Sequence, residues 1–271
     1  MRFSQHLAEI YHKILCKLYY GHTGTIPGRT IKMFTREGLT DLEKARFTAL
    51  RRLSLGQGYK KDFFVPSENV FEDIHKYNIW GSNETRSGPS SNLSATTKTR
   101  EFLTTTLKKY NITSILDAGC GDFHFMQNID LSGIKYTGLD ISKSMIESAT
   151  KTAANRPHHE FFQADITREK LPTADLIFCK DCLQHLSFKD VKKAVNNFRQ
   201  SGTKYLLVTT YPLTLKNWDI NTGDFRWLNL TLPPLRFPQP MEYFQEEHGT
   251  DNFMFLYEIK KLPRFRRIFF T

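Results

Sequence analysis

The chain has 271 residues, 39% apolar and 13% aromatic, with a formal net charge of +10. That is enough apolar material for one large core with an appendage, and no apolar run approaches the ~20 residues needed to span a bilayer. The charge is uneven: residues 1–110 carry 18 Lys and Arg against 10 Asp and Glu, residues 111–254 carry 15 against 17, and residues 255–271 carry 5 against 1. The middle of the chain is therefore close to neutral, which argues against a DNA-binding core.

In chain order, Leu7, Ile10, Ile14, Leu15 and Leu18 keep a helical spacing, broken by His12, Lys13 and Lys17 in a way that does not suit a secretory leader. A glycine- and threonine-rich loop follows from Gly21 to Thr30, then a capping box at Thr40-Asp41-Leu42-Glu43. Residues 56–92 read as irregular, with Ser87-Gly88-Pro89-Ser90-Ser91 as a loop or lid, and Ser94 to Tyr110 as a helix leading into a sheet. Five apolar runs then alternate with helical patterns: Ser114–Ala118, Lys135–Asp140, His159–Asp165, Asp175–Asp181 and Tyr205–Thr210. Ser142 is placed to cap a helix running to about Asn155 before Pro157, and Ser187 to cap another reaching about Gln200. This alternation predicts an α/β fold with a doubly wound, mainly parallel sheet.

The first run ends in Asp117-Ala118-Gly119-Cys120-Gly121-Asp122, a strand expected to turn sharply into a helix. A third glycine would complete a dinucleotide fingerprint, but His124 stands there, so pyrophosphate packing is not specified. A ligand with a carboxylate and an ammonium but no phosphate suits such a loop, with free amides at the helix start for the anion and Asp117 for the cation. Asp140, at the second strand's tip, is placed to accept hydrogen bonds from both ribose hydroxyls. Asp165 and Asp181 end the third and fourth runs, so four acids fall where ligands of such sheets bind. Cys16, Cys120, Cys179 and Cys182 fall mostly in expected core elements, which suits a reducing compartment. Cys179 and Cys182 read as structural thiols near the ligand, with a redox pair or a metal site including His185 as alternatives.

Leu116–Asp122, Gly138-Leu139-Asp140, Gln163-Ala164-Asp165 and Asp175–Phe178 resemble, in order and spacing, the motifs of class I S-adenosylmethionine-dependent methyltransferases. The resemblance extends over roughly residues 80 to 260, through Trp80-Gly81, Ser87-Gly88, Asp181–Leu186, Asn217–Ile220 and Leu228–Leu230. It is strongest to bacterial members linked to surface-glycan or small-molecule modification. It implies a seven-stranded Rossmann-like domain over 93–271, with residues 1–92 as a helical and irregular extension and lid. It further implies S-adenosylmethionine as cofactor. Asp117, Gly119 and Gly121, with Cys120 and Asp122 in the same loop, would hold the methionine end; Asp140 with Ile141 would take the ribose, Asp165 with Ile166 the adenine, and Lys180 would line the cofactor by its backbone. Many relatives carry an aromatic where His124 stands.

Methyl transfer to oxygen wants a base beyond the fourth strand, and Asp181 and His185 are the candidates. Trp80, Tyr211, Asn217, Trp218, Asp219 and Arg226 are expected to cover the acceptor, a glycan, sugar nucleotide or related phospho-metabolite. The basic ends would draw an anionic substrate or surface, and the tail Lys260–Phe270 interleaves basic and apolar residues as a peripheral membrane contact would. A cytoplasmic enzyme, in part at the inner membrane face, is the expectation. The alternatives are an RNA or protein methyltransferase recruited by the basic ends, and a cofactor-binding protein without catalysis.

Overall fold

The five apolar runs form strands β1 (Ser114–Ala118), β2 (Lys135–Asp140), β3 (His159–Gln163), β4 (Leu176–Cys179) and β5 (Tyr205–Thr210). The computed structural model describes residues 67–76, 78–246 and 251–266. The expected helix from Leu7 to Leu18, the Gly21–Thr30 loop, the Thr40–Glu43 capping box, Cys16 and the tail from Arg267 onward lie outside them. Two further strands, β6 (Glu242–Gln245) and β7 (Phe253–Glu258), complete a seven-stranded sheet of order β3-β2-β1-β4-β5-β7-β6. The first five strands are parallel, whereas β7 runs antiparallel to β5, and β6 antiparallel to β7. The segment read as the start of a basic tail is thus partly sheet: Phe255 to Glu258 lie in β7, and Leu262 is buried behind it.

Alternating side chains feed two cores. Leu116, Ile177, Leu206 and Val208 face the helix α4 (Phe188–Gln200), whose Val191, Ala194, Val195 and Phe198 form a single apolar stripe. Ile115, Leu176, Phe178 and Leu207 face the opposite way, toward Leu103 and Leu107 of α2 (Thr97–Lys109). Helix α3 (Lys143–Thr152) starts where expected, with Ser142 Oγ accepting from the Met145 amide at 3.2 Å, but it stops three residues before Asn155. Ser187 caps α4 through the Asp190 amide.

Two expectations are corrected. Residues 67–76 are helical rather than irregular: α1 (Ser67–Lys76) buries Val70 and Ile74 one turn apart and clips onto the start of α3. The clip is made by the Glu72 carboxylate, accepting from Ser142 Oγ at 2.7 Å, and by His75 Nδ1 at 2.6 Å from Ser144 Oγ. The helix expected directly after the glycine loop is instead a turn followed by one short 3-10 segment, Met126–Asn128. Phe123 adopts a left-handed φ of 62° and is buried edge-on against Tyr136 and Phe161, which holds the chain in a turn where a helix would have to begin.

The strand order reverses direction between β1 and β4, so the connections leaving their carboxyl ends diverge and open a crevice there. The described part of the tail is tied to α4 by paired hydrogen bonds between Asn196 and the Phe265 backbone, and Phe265 packs on the core. No helix among the described residues is long and apolar enough to cross a membrane. Gly138 sits under the loop: a Cβ there would lie 2.7 Å from the Phe161 ring and 2.9 Å from Cys120 Sγ. Gly138→Ala is therefore expected to lower stability by about 1–3 kcal/mol, the range for an overpacked core. Urea unfolding measures this, and an unshifted midpoint would show that Phe161 gives way freely.

Candidate active site

The crevice is a cleft whose empty space, open mouth included, is ≈ 1160 Å³. Its wall brings together all the residues expected to bind the cofactor: Asp117, Gly119, Cys120, Gly121, Asp122, Asp140, Ile141, Asp165, Ile166 and Lys180. Asp181, His185 and Trp80 line it as well.

The loop after β1 does not offer free amides. Gly119 and Cys120 both donate to the Leu139 carbonyl, at 2.8 and 3.0 Å, and the Gly121 amide donates to Asp140 Oδ2 at 3.0 Å. The Asp122 amide donates to Ser87 Oγ at 3.1 Å. With its amides engaged and no helix behind it, this loop is not the anion site expected from the spacing. Asp122 is also corrected, because its carboxylate is spent on the segment before α2. Oδ2 accepts from Thr85 Oγ1 at 2.6 Å and from the Arg86 amide at 2.9 Å, and Oδ1 accepts from Ser87 Oγ at 2.9 Å.

Asp117 is buried at the tip of β1 and accepts from the Tyr136 hydroxyl at 2.6 Å. Burial pushes its pKa up to about 7, against the lowering effect of that bond. Asp140 accepts from the Ser142 amide at 2.9 Å as well as from Gly121, and burial raises its pKa to about 6. Each carboxylate oxygen has a second lone pair, so Asp140 retains acceptor capacity toward the cleft. Asp165 turns the chain after β3 by accepting from the Thr167 amide at 2.8 Å, and it pairs with Arg168 at 3.2 Å. Apolar Ile141, Ile166, Met145, Leu186 and Phe71 complete this side. A polar floor of carboxylates beside an apolar slot suits a nucleoside carrying a cationic end.

At the end of β4, Lys180 is buried and its ammonium donates to Asp181, to Glu246 Oε1 at 3.4 Å and to the Ser90 carbonyl at 3.1 Å. Burial alone would lower its pKa, but the two carboxylates outweigh burial and the net shift is upward. Asp181 has a left-handed φ of 50°, and Gln184 Nε2 donates to its Oδ1 at 2.8 Å. Both Asp181 oxygens are thus engaged. His185 differs. Its Nδ1 lies 2.9 Å from the Asp224 carbonyl, which can only accept, so Nδ1 carries the proton and Nε2 is left as an unprotonated acceptor. Burial lowers the His185 pKa despite that bond and the nearby Asp181 charge, so the ring is neutral near pH 7. Trp80 and Phe225 pack at a tilt against the imidazole, with ring centroids 5.1 and 5.6 Å away.

The other expected acceptor residues do not line the cleft. Asn217 is buried and structural, donating to the Asn229 carbonyl at 2.7 Å and accepting from the Asn229 amide at 2.9 Å. Arg226 is fully buried, its guanidinium 4.6 Å over the Phe188 ring and 4.0 Å from Asp219, and burial lowers its pKa to about 10. It is not part of the cleft wall. Asp219 accepts from the Phe188 and Ile220 amides at the start of α4. Tyr211 is buried behind Phe225, while Trp218 is exposed away from the cleft wall. Residues that sequence reasoning passed over include Phe71, Ser91, Asp190 and Thr222 on the wall, and Glu246 behind it. Only the serine-rich run containing Ser87 and Ser91 had carried any signal.

A family profile described as a methyltransferase domain matches residues 116–203. No curated protein matches the chain. Magnesium protoporphyrin IX methyltransferase from Synechocystis PCC 6803, solved with bound S-adenosylmethionine, is similar at 14% identity and a TM-score of 0.52, over 72% of this chain and 98% of that one. The N-methyltransferase NodS of Bradyrhizobium japonicum WM9 is similar at 15% identity and a TM-score of 0.49, over 62% and 98%. Residues 116–203 thus carry a methyltransferase domain, which implies S-adenosylmethionine as the cofactor, and the sheet has the Rossmann-like fold of such proteins.

Asp140→Ala is expected to weaken S-adenosylhomocysteine binding by about 1.5–3 kcal/mol, the range for hydrogen bonds to a charged group. Calorimetry tests this, and unchanged affinity would remove Asp140 from the cofactor site. A cation bound beside Asp117 favours its ionised form, so binding expels a proton wherever the free carboxyl is still protonated. Affinity should therefore rise with pH up to about 7, the raised Asp117 pKa, and level off above it. A flat profile would show that no cation sits beside Asp117.

Proposed function

We propose that the enzyme methylates a hydroxyl of a glycan, sugar nucleotide or related metabolite, with His185 as the general base. The observation that carries this reading is the tautomer of His185: Nδ1–H is committed to the Asp224 carbonyl, and burial keeps the ring neutral with Nε2 available to a proton. Of the two candidate bases, Asp181 is the weaker, because its carboxylate is already ion-paired with the buried Lys180 ammonium.

Bound in the cleft, S-adenosylmethionine supplies an electrophilic methyl carbon on a sulfonium. Asp117, Asp140 and Asp165 would hold its amino-acid, ribose and adenine parts, and Ile141 and Ile166 would exclude water from the base. His185 would then receive the proton of the acceptor hydroxyl at Nε2. Trp80 and Phe225 both pack on the imidazole, and Trp80, on the cleft wall, offers flat apolar surface of the kind that packs against a sugar ring. The cleft wall itself carries six aspartates against Lys180 and Arg168, so the neutral hydroxyl-bearing part of the acceptor is the part that enters, and any phosphate stays outside.

Turnover with radiolabelled methyl donor across glycans, nucleotide sugars, RNA and protein is the test. His185→Ala should cost about 10²- to 10⁴-fold in kcat, the usual worth of a positioned base, with S-adenosylhomocysteine affinity retained. The wild-type rate should fall on the acid side with a midpoint below the ordinary histidine value of about 6.5, because burial lowers that group. Full activity in His185→Ala would exclude the base. Labelling of RNA or protein in preference to any glycan or metabolite would overturn the acceptor class.

A further inference from the structure

The segment Ser82–Asn92 crosses the mouth of the cleft as a strap closed on itself, Ser82 Oγ donating to Asn92 Oδ1 at 2.7 Å. It contributes Ser87 and Ser91 to the cleft wall. Two charged residues from the sheet hold it. Asp122 receives Thr85 Oγ1, the Arg86 amide and Ser87 Oγ, and its own amide donates back to Ser87 Oγ. Lys180 reaches the strap from the end of β4 through the Ser90 carbonyl. The fit is close on both sides. A Cβ at Gly121 would lie 2.1 Å from Ser87 Oγ, so a side chain there would push that hydroxyl off its bonds with Asp122. Gly88, at a φ of +91°, lies under Trp80, and a Cβ there would be 3.2 Å from Trp80 Cβ. The strap therefore props Trp80, and Trp80 in turn packs at a tilt on His185, ring centroids 5.1 Å apart.

We propose that Asp122 and Lys180 are positioning residues: together they latch the strap that holds Trp80 against His185, so that the loop beneath the cofactor sets the placement of the base. The latch explains two features that cofactor contact does not. The Asp122 carboxylate has three strap donors in place of a ligand, and a lysine is buried at a strand end with its ammonium turned to a loop carbonyl and two carboxylates. A buried ammonium is retained only where such partners are fixed. The consequence for catalysis rests on His185 being the base. The latch itself does not, and it is read without turnover.

The full-length protein with Trp218→Phe and Trp227→Phe keeps Trp80 as its single tryptophan. A protonated imidazole in contact with an indole quenches it, so Trp80 emission should step with pH as His185 titrates, and His185→Gln should abolish the step. Asp122→Ala and, separately, Lys180→Met should also abolish it, expose Trp80 to acrylamide and speed amide exchange across residues 82–92 by at least about tenfold, as expected when a local unit opens. Thr85→Val with Ser87→Ala removes the strap's two side-chain donors, leaving the Arg86 amide and the loop carboxylate in place, and it should reproduce the effect. Cooperative unfolding of each variant separates loss of the latch from loss of the fold. Retention of the pH step and of slow exchange in Asp122→Ala and in the Thr85/Ser87 double variant would overturn the latch. So would an Asp122→Ala variant that loses S-adenosylhomocysteine binding with strap exchange unchanged, since Asp122 would then be a direct ligand. Loss of the latch signals with His185→Ala fully active would leave the latch standing and remove the base.

Discussion

Carboxylates taken out of water at the carboxyl ends of parallel strands must each find a partner, and the way they do so organises this molecule. Asp117 takes the Tyr136 hydroxyl, Asp140 takes the amides of Gly121 and Ser142, Asp122 takes the strap, and Asp181 shares Lys180 with Glu246. Apart from the Ser142 amide and Lys180, which neighbour Asp140 and Asp181 in the chain, these partners come from other segments. Satisfying the acids therefore pulls the glycine loop, the start of α3, the segment before α2 and the end of β6 around one cleft. Asp117, with one donor, Asp140, with one on each oxygen, and His185 Nε2 keep acceptor capacity after that pairing.

The same pairing divides the cleft chemically. On the side of β1, β2 and β3, carboxyls with raised pKa values lie beside apolar slots, an arrangement suited to a cationic nucleoside. Past β4 Lys180 is shared by two carboxylates, and His185, the proposed base, is an uncharged imidazole bonded to a backbone carbonyl and close to two aromatic rings. A neutral base flanked by apolar rings suits proton transfer from a hydroxyl better than a carboxylate already engaged by an ammonium.

Most of the central sheet was legible because buried parallel strands are continuous apolar runs bounded by turns; β2 and β5 begin and end where their runs do. The start of α4 was equally plain from Ser187 and a four-residue apolar stripe. β6 was not legible, being four residues long and half-exposed, and β7 was hidden in a segment whose basic residues drew attention first. Asn217 and Arg226 looked functional because they are polar residues near recognisable motifs. Burial decides otherwise: one knits a loop to Asn229, and the other lies beneath Phe188. The glycine loop misled in a subtler way. Gly121 is required by the close approach of Ser87, which comes from far earlier in the chain, and not by an anion at its own amide.

What the sequence determined by itself was local and periodic: strand runs, helix starts, and the acids and glycines at strand ends, in an order that specifies a parallel sheet and the edge where its ligand binds. Those features follow from side-chain spacing and backbone sterics, which need no knowledge of distant neighbours. The tertiary structure alone decided which polar groups are already engaged. Asp122 and Asp181 could not be told from ligand-binding acids until Thr85, Ser87, Lys180 and Gln184 were found against them. His185 could not be assigned a free nitrogen until the Asp224 carbonyl, 39 positions away, was placed on the other one. A hydrogen-bonding group has a fixed number of partners, and that number is used up in space and not along the chain.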